Sequence, residues 1–183
     1  MIALHHIPHA FSGAECQRIT EIAAGAQASD ARLVGQQRDH NLRRAELVWL
    51  DDVPGTDWVM DRIIDLVRAA NRSCFGFDID GFDESAQVAR YGAEREGHFD
   101  WHSDIGEGRL AARRKLTMVV QLSDPDGYEG GCLQAMPSAH VLEAPRDRGT
   151  ATLFPSYLLH RVTPVTAGER HSLTIWAHGP GFR

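Results

Sequence analysis

Only three cysteines occur in the 183 residues, Cys16, Cys74 and Cys132, far apart and never as Cys-x-x-Cys. That spacing excludes a disulfide framework, which needs paired cysteines to close its loops, and a thiolate zinc site, which needs clustered sulfurs. An excess of positive charge is lacking too. The formal net charge is −6, the wrong sign for a surface that holds phosphate backbones, so nucleic acid is not an expected partner. No apolar run approaches the length that crosses a bilayer, and the N-terminal MIALHHIPHAF has no basic start followed by an apolar stretch. Neither membrane insertion nor secretion is expected, and the cytoplasm is the expected location. Internal repeats and low-complexity segments are absent as well.

What is present suits one ordinary globular domain spanning 1–183, with 43% apolar and 24% charged residues and enough chain for a sizeable core. FSGAECQRITEIAAGA opens with Ser12 and carries Glu15 three residues on, a capping box that predicts a helix to about Ala26. Leu47 and Trp49 lie in a short strand-like run before DDVPGTD breaks it. From Trp58 to Asn71, Val59, Ile63, Leu66, Val67 and Ala70 recur at helical spacing, with charged residues on the opposite side. After about Phe82 the helical period gives way to short segments rich in β-branched and aromatic residues: SAQVARY, HFDWH, KLTMVVQL, GCLQAM, TATLFPS, LLHRVTPV and RHSLTIWAH. Glycine, proline and aspartate punctuate them, which predicts an antiparallel body of about seven or eight strands, a sandwich or barrel with the helices packed outside. PDGYEGG reads as a glycine-rich loop and TPVTAGE as a turn.

Chemistry concentrates in HFDWHSDIGEG, which holds His-x-Asp twice, as His98/Asp100 and His102/Asp104. Side chains alternate along a strand, so all four point the same way if the segment stays extended, and parity does not choose between the pairs. A third metal ligand must come from elsewhere, and His160, on a predicted strand, is the best candidate. Ten positions on, Arg170 shares a face with Ser172, Thr174 and Trp176, while His171, Leu173 and Ile175 take the other. Arginine with a nearby serine offers a fork of donors for a carboxylate inside a barrel. Two histidines and one carboxylate leave coordination positions open on a metal, the arrangement of non-heme Fe(II) oxygenases. The two features support each other, because 2-oxoglutarate chelates iron at one end and needs a cation at the other.

Over roughly Arg43 to Arg183, and most densely from Tyr91, the chain resembles the 2-oxoglutarate and Fe(II)-dependent dioxygenases of the prolyl 4-hydroxylase-like group, the PKHD-type hydroxylases. The motifs that carry this are RYG…GHFDWHSD, LTMVVQLSDPDGYEGGCLQ, LFPSYLLHRVTPVTAGER and SLTIWAHGP, in that order. The resemblance implies a mainly β fold, a double-stranded β-helix or jelly roll at about 82–178, with helical support at about 12–72. It implies His102, Asp104 and His160 as the iron ligands, Arg170 with Ser172 as the clamp for the far carboxylate of 2-oxoglutarate, and Tyr91 and Gln121 as cosubstrate contacts. His98 and Asp100 are then residues of the substrate-facing rim or have no role at the site. Fe(II), 2-oxoglutarate and O2 are the implied cofactors, with ascorbate as a stimulant, and the implied reaction hydroxylates a C–H bond with release of succinate and CO2. Asp104 itself favours hydroxylation, since related halogenating enzymes lack the carboxylate.

One departure is Cys132 in GGCLQ, where relatives often carry an acidic residue; it touches substrate recognition rather than the ligand set. Peptidyl proline, a free amino acid and another small molecule all stay open as substrates, and so does the oligomeric state, a homodimer included. Two rivals share parts of the pattern. An AlkB-type nucleic-acid demethylase is disfavoured by the acidic charge, and a sensor that binds iron or 2-oxoglutarate without turnover is separated from an enzyme by succinate formation. Trp176 reads as core, and His5, His6, His9 and His40 as surface or packing residues.

Overall fold

Ser12 starts the first helix as its capping box requires. Its hydroxyl accepts from the Glu15 amide at 3.1 Å, and the Glu15 carboxylate accepts from the Ser12 amide at 2.8 Å. In this computed structural model, which describes residues 4–26, 29–30 and 42–182, helix α1 runs over Gly13–Ala24 and buries Cys16, Ile19 and Ala23 along one stripe. Helix α2, Asp57–Ala70, buries Val59, Ile63, Val67 and Ala70 at the spacing read from the sequence. It then continues as a wider π turn over Asn71–Phe75, stopped by Gly76 at φ 66°. The Asn71 side chain closes that turn by donating to the Phe77 carbonyl and accepting from the Phe77 amide.

The strands among the described residues are β1 (His5–Ile7), β2 (Ser29–Asp30), β3 (Arg43–Arg44), β4 (Glu46–Trp49), β5 (Gln87–Gly92), β6 (His98–His102) and β7 (Arg114–Gln121). They continue with β8 (Tyr128–Gly130), β9 (Leu133–Ala135), β10 (Leu142–Glu143), β11 (Ala151–Pro155), β12 (His160–Val162) and β13 (Val165–His178). The large sheet has the order β1-β11-β7-β13-β5-β4-β2, with β8 added on β13, and the small sheet the order β10-β9-β12-β6-β3. All ladders are antiparallel. Each of the seven predicted segments after Phe82 is a strand, which matches the mainly β jelly-roll class.

Two expectations need correction. PDGYEGG is not a plain loop, because β8 forms inside it and pairs with the first part of β13. TPVTAGE is not a turn: the chain reverses at Thr163–Pro164, and β13 has already begun at Val165. Neither short apolar periodicity nor composition marks these residues as strand; their backbone pairing with each other does.

Alternation along the central strands builds two cores. Val88, Met118, Leu153 and Leu173 enter a cluster with Ile19, Val59 and Ile63 of the helices. Their chain neighbours Ala89, Val119 and Phe154 enter a second cluster with Leu133, Leu158 and Val162 of or beside the small sheet. β7 is consequently buried at every position, as expected of a strand covered on both faces. The helices cover the outer face of the large sheet, and the space between the sheets is left for the site. No helix among the described residues is long and apolar enough to cross a membrane.

Candidate functional site

His160 on β12 stands opposite His102 on β6 and Ala135 on β9, in the middle of the small sheet. Two steps further along the pairing, Val162 opposes Phe99 rather than Asp100. One extra residue on β6 thus faces Arg161, a β-bulge, and such a bulge re-aims the side chains beyond it. Parity therefore breaks within HFDWH. Phe99 and His102 turn to the inner face, their rings stacked 3.4 Å apart, whereas Asp100 is exposed and His98 lies with it beside Arg161 and Arg44 outside the sheet. Trp101 packs its ring 4.7 Å from the Arg161 guanidinium. The expectation that all four residues share one face is wrong, and the bulge is the reason.

Among the described residues the group suited to a metal is His102, Asp104 and His160, whose ligand atoms all lie within 4.8 Å of one another. The Nε2 atoms of His102 and His160 stand 3.6 and 3.4 Å from the two Asp104 oxygens. Each imidazole is oriented by its other nitrogen: Nδ1 of His102 meets the Asp100 carbonyl at 2.7 Å, and Nδ1 of His160 meets the Leu158 carbonyl at 2.9 Å. Donation from Nδ1 leaves the Nε2 lone pair for a metal. Burial pushes the His160 pKa down to about 4 against the pull of Asp104, so the imidazole is neutral near pH 7, the form that ligates.

Asp104 leaves the strand and is held by two other segments, β7 and the residue after β11. Its amide donates to the Ser156 carbonyl at 2.8 Å, and its carbonyl accepts from Arg114 Nη1 at 3.1 Å. The buried Thr117 hydroxyl donates to Asp104 Oδ2 at 2.7 Å and stands 3.0 Å from Ser156 Oγ. With its one proton committed to Asp104, Thr117 accepts from Ser156. Burial opposes ionisation of Asp104, but the His160 and His102 imidazoles and the Thr117 hydroxyl outweigh it and hold the carboxyl well below the usual range.

Behind this group, on the large sheet, Arg170 is completely buried. Its Nε donates to Gln121 Oε1 at 3.1 Å, yet Nη1 and Nη2 are buried with no partner. Burial lowers its pKa, although a guanidinium stays charged at any physiological pH. Tyr91 packs its ring 5.4 Å from the guanidinium carbon. A Cβ on Gly131, which has φ 59°, would meet Arg170 Cδ and Val165 Cγ2 at 3.0 Å and Tyr128 at 3.3 Å, so glycine is what lets the backbone close on this pocket. Ser172 and Tyr91 line one cavity together with His102, Asp104 and His160.

Five of the seven predicted site residues, His102, Asp104, His160, Tyr91 and Ser172, line this cavity; Arg170 is buried two residues before Ser172 on β13, and Gln121 of β7, which pairs with Ser172, props its guanidinium. Sequence reasoning missed Thr117, Tyr128 and Arg43 and underrated Trp176, which lines the same cavity. A threonine on the inner parity of KLTMVVQL was a usable signal for Thr117; the aromatic in a glycine-rich stretch was a weaker one for Tyr128. His5 and His6 pack as expected, 3.5 Å from Cys74 Sγ and 3.1 Å from Thr152 Oγ1, and His40 lies outside the described residues.

The donor set fits Fe(II): two imidazoles and one carboxylate on one side of an open space. Paired orphan donors on a buried guanidinium, with a glycine where a Cβ would intrude, fit a carboxylate at the far end. The profile of the 2OG-Fe(II) oxygenase superfamily matches residues 86–178. A PKHD-type hydroxylase of Teredinibacter turnerae is 34% identical over 87 residues, 48% of this chain, and that match spans 38% of the relative. A PKHD-type hydroxylase of Pseudomonas putida is 28% identical over 182 residues, 94% of this chain and 77% of the relative. Among solved structures, a Trichoplax adhaerens prolyl hydroxylase in complex with a hypoxia inducible factor peptide fragment aligns with TM-score 0.79 at 18% identity, over 96% of this chain and 83% of that one. The last is a likeness of fold.

Proposed function

Because this chain belongs to the 2OG-Fe(II) oxygenase superfamily, we propose that it is a hydroxylase whose Fe(II) is held by His102, Asp104 and His160 and whose cosubstrate is seated on Arg170. The substrate is an amino acid, a peptidyl proline or a related small molecule. The single observation that carries this reading is the pair of orphan Arg170 donor nitrogens, because a buried guanidinium with two unmet NH2 groups is strongly unfavourable unless an anion completes it. When bound, iron with 2-oxoglutarate and O2 supplies the oxidising power to hydroxylate a C–H bond, with succinate and CO2 as the accompanying products.

The chain's own part is positional and electrostatic. Asp104, kept ionised, supplies the one negative ligand, and Thr117 fixes which way its carboxylate faces. The two imidazoles enter with their lone pairs already aimed. Arg170 offers a planar fork that sets the far carboxylate in both distance and plane, with Gln121 holding the fork from behind. Ser172 and Tyr91 add polar contacts along the same wall. Phe99 and Trp176 close the cavity with apolar surface, which excludes water from the reacting centre. A reducing compartment suits Fe(II) and the three free thiols, so we place the protein in the cytoplasm, with no nucleic-acid partner.

The test is succinate formation by the purified protein as a function of Fe(II), 2-oxoglutarate and O2, together with a mass screen of amino acids and prolyl peptides for gain of one oxygen. Turnover that needs all three components supports the proposal. Tight binding of 2-oxoglutarate with no succinate would make the protein a sensor.

A further inference from the structure

Three arginines are buried among the described residues: Arg43, Arg114 and Arg170. Arg114 is neutralised inside the protein by a two-pronged pair with Glu84. Arg170 has no internal anion and is assigned above to the far carboxylate of the cosubstrate. Arg43 is the one left over.

Arg43 is 8% exposed and lines the same cavity as His102, Asp104 and His160. It sits on β3 opposite Phe99, and its guanidinium lies 4.5 Å from the centroid of the ring that stacks on His102. Strand alternation explains why it points inward: its neighbour Arg44 takes the outer face and pairs with Glu96 at 3.1 Å. No salt bridge or side-chain hydrogen bond satisfies Arg43 among the described residues, and its Nε is buried without a partner. The Phe99 face supplies a cation–π contact, which attracts the charge but takes up none of the guanidinium hydrogens.

We propose that Arg43 seats a carboxylate of the substrate, and that the substrate class is accordingly a small amino acid or short peptide presenting its free α-carboxylate to this edge of the metal site. The assignment rests on the hydroxylase reading above. The reasoning is by elimination of anions. A buried guanidinium calls for a counter-charge; Glu84 is committed to Arg114, and 2-oxoglutarate has one carboxylate for Arg170 and one for the metal. Among the described residues no carboxylate pairs with Arg43, Asp104 being turned to the two histidines, so the counter-charge is assigned to the other reactant. A neutral peptide carbonyl would meet a hydrogen but leave the charge unmet, so the free acid is preferred over its amide.

The experiment uses the whole Fe(II)-loaded protein and a panel of L-amino acids and X-Pro dipeptides, each as free acid and as C-terminal amide, with substrate-dependent succinate formation as the readout. Expected is stimulation by at least one free acid, with KM at least about ten-fold lower than that of its amide. In Arg43→Gln that preference falls to about unity through a rise in the acid's KM alone, and Arg43→Lys is intermediate because it keeps charge without the fork. Iron content in both variants reports whether the metal centre is intact, and Arg43→Lys carries the comparison if Arg43→Gln fails to fold. Equal KM for acid and amide in the wild type overturns the proposal, as does a preference that survives in the variants. So does weakened use of 2-oxoglutarate, its KM raised about ten-fold with the acid preference retained, which would make Arg43 a cosubstrate residue. Succinate formation without stimulation by any panel member also overturns it, while leaving the hydroxylase reading standing. Absence of any Fe(II)- and 2-oxoglutarate-dependent succinate would instead sink the hydroxylase reading, and this assignment with it.

Discussion

Replacing Thr117 with valine removes one hydroxyl and almost no volume, at a site with no exposure. The lost bond is short, 2.7 Å, and ends on an ionised oxygen of Asp104, a class of hydrogen bond that contributes roughly 1.5–3 kcal/mol. Not all of that appears in metal affinity, since the bond exists with or without a metal. What changes is the freedom of the carboxylate to turn and the ease of protonating it, both of which oppose ligation. Loss of an outer partner of a ligand typically weakens metal binding about 10–100-fold, or about 1.4–2.7 kcal/mol, within what this bond can supply. Ser156 also loses its acceptor, so some loss of folding stability accompanies the change. The assay is a Mn(II) binding isotherm at neutral pH, followed by electron paramagnetic resonance of the free ion, on wild type, Thr117→Val and Thr117→Ser. We expect Thr117→Val to bind about 10–100-fold more weakly and Thr117→Ser to recover most of the loss. A folded Thr117→Val with affinity within about two-fold of wild type would show that Asp104 is oriented by its backbone bonds alone, and the reasoning would fail.

Arg170→Lys keeps the charge but loses the fork, so the 2-oxoglutarate KM should rise about ten-fold or more with normal iron content; steady-state kinetics with metal analysis checks it. Gly131→Ala places a methyl against Arg170 at a positive φ, so the 2-oxoglutarate KM should rise while Mn(II) affinity stays near wild type. Ala at His98 or Asp100 should leave the metal in place, whereas Ala at His102 should remove it, a contrast read directly by metal content. Glu84→Gln leaves the buried Arg114 charge uncompensated and should lower unfolding stability by about 3–5 kcal/mol at pH 7. Although burial pushes the Glu84 carboxyl up, Arg114 and His178 hold its pKa down to about 2, from an ordinary 4.5. A depressed carboxylate contributes fully above its unfolded value and loses its contribution as pH falls through its folded one. The gap between wild type and Glu84→Gln in urea unfolding should therefore narrow as pH drops from about 4.5 towards 2, and a constant gap would count against the ion pair.

Helices α1 and α2 were legible because a capping box and a heptad-like apolar stripe are local signals. Eight of the strands, β4 and the seven predicted after Phe82, were legible because each carries its own two-residue or all-apolar pattern. What escaped depends on pairing between distant segments. β8 exists because it adds to β13, and the bulge in β6 is visible only against β12. That bulge decides which histidine faces inward, so parity within HFDWH had no means of choosing between His98 and His102, and resemblance had to choose. Thr117 and Arg43 were hidden for a related reason. Nothing local marks a residue whose role is set by what stands across the cavity.

The division of the site between the sheets follows from the two cores. The small sheet and the chain just after it carry His102, Asp104 and His160, while the large sheet carries Tyr91, Gln121, Arg170 and Ser172. The distance between the proposed metal site and the proposed carboxylate clamp is therefore a sheet-to-sheet distance, fixed by side chains packed between the layers. Phe154 of β11 shows the link: it is wholly buried in the inner core and its ring lies 4.7 Å from that of His160. On the other face of the large sheet the helices pack against Met118, Leu153 and Leu173. This packing backs β7 and β13 on the face opposite a guanidinium buried with two of its nitrogens unmet. Uncompensated, that charge would favour local opening. The outer core supplies the hydrophobic stabilisation that opposes it, roughly 1.5–3 kcal/mol for each large side chain fully buried. In this way helices that contribute no residue to the proposed site oppose the opening that an unmet charge on Arg170 would favour.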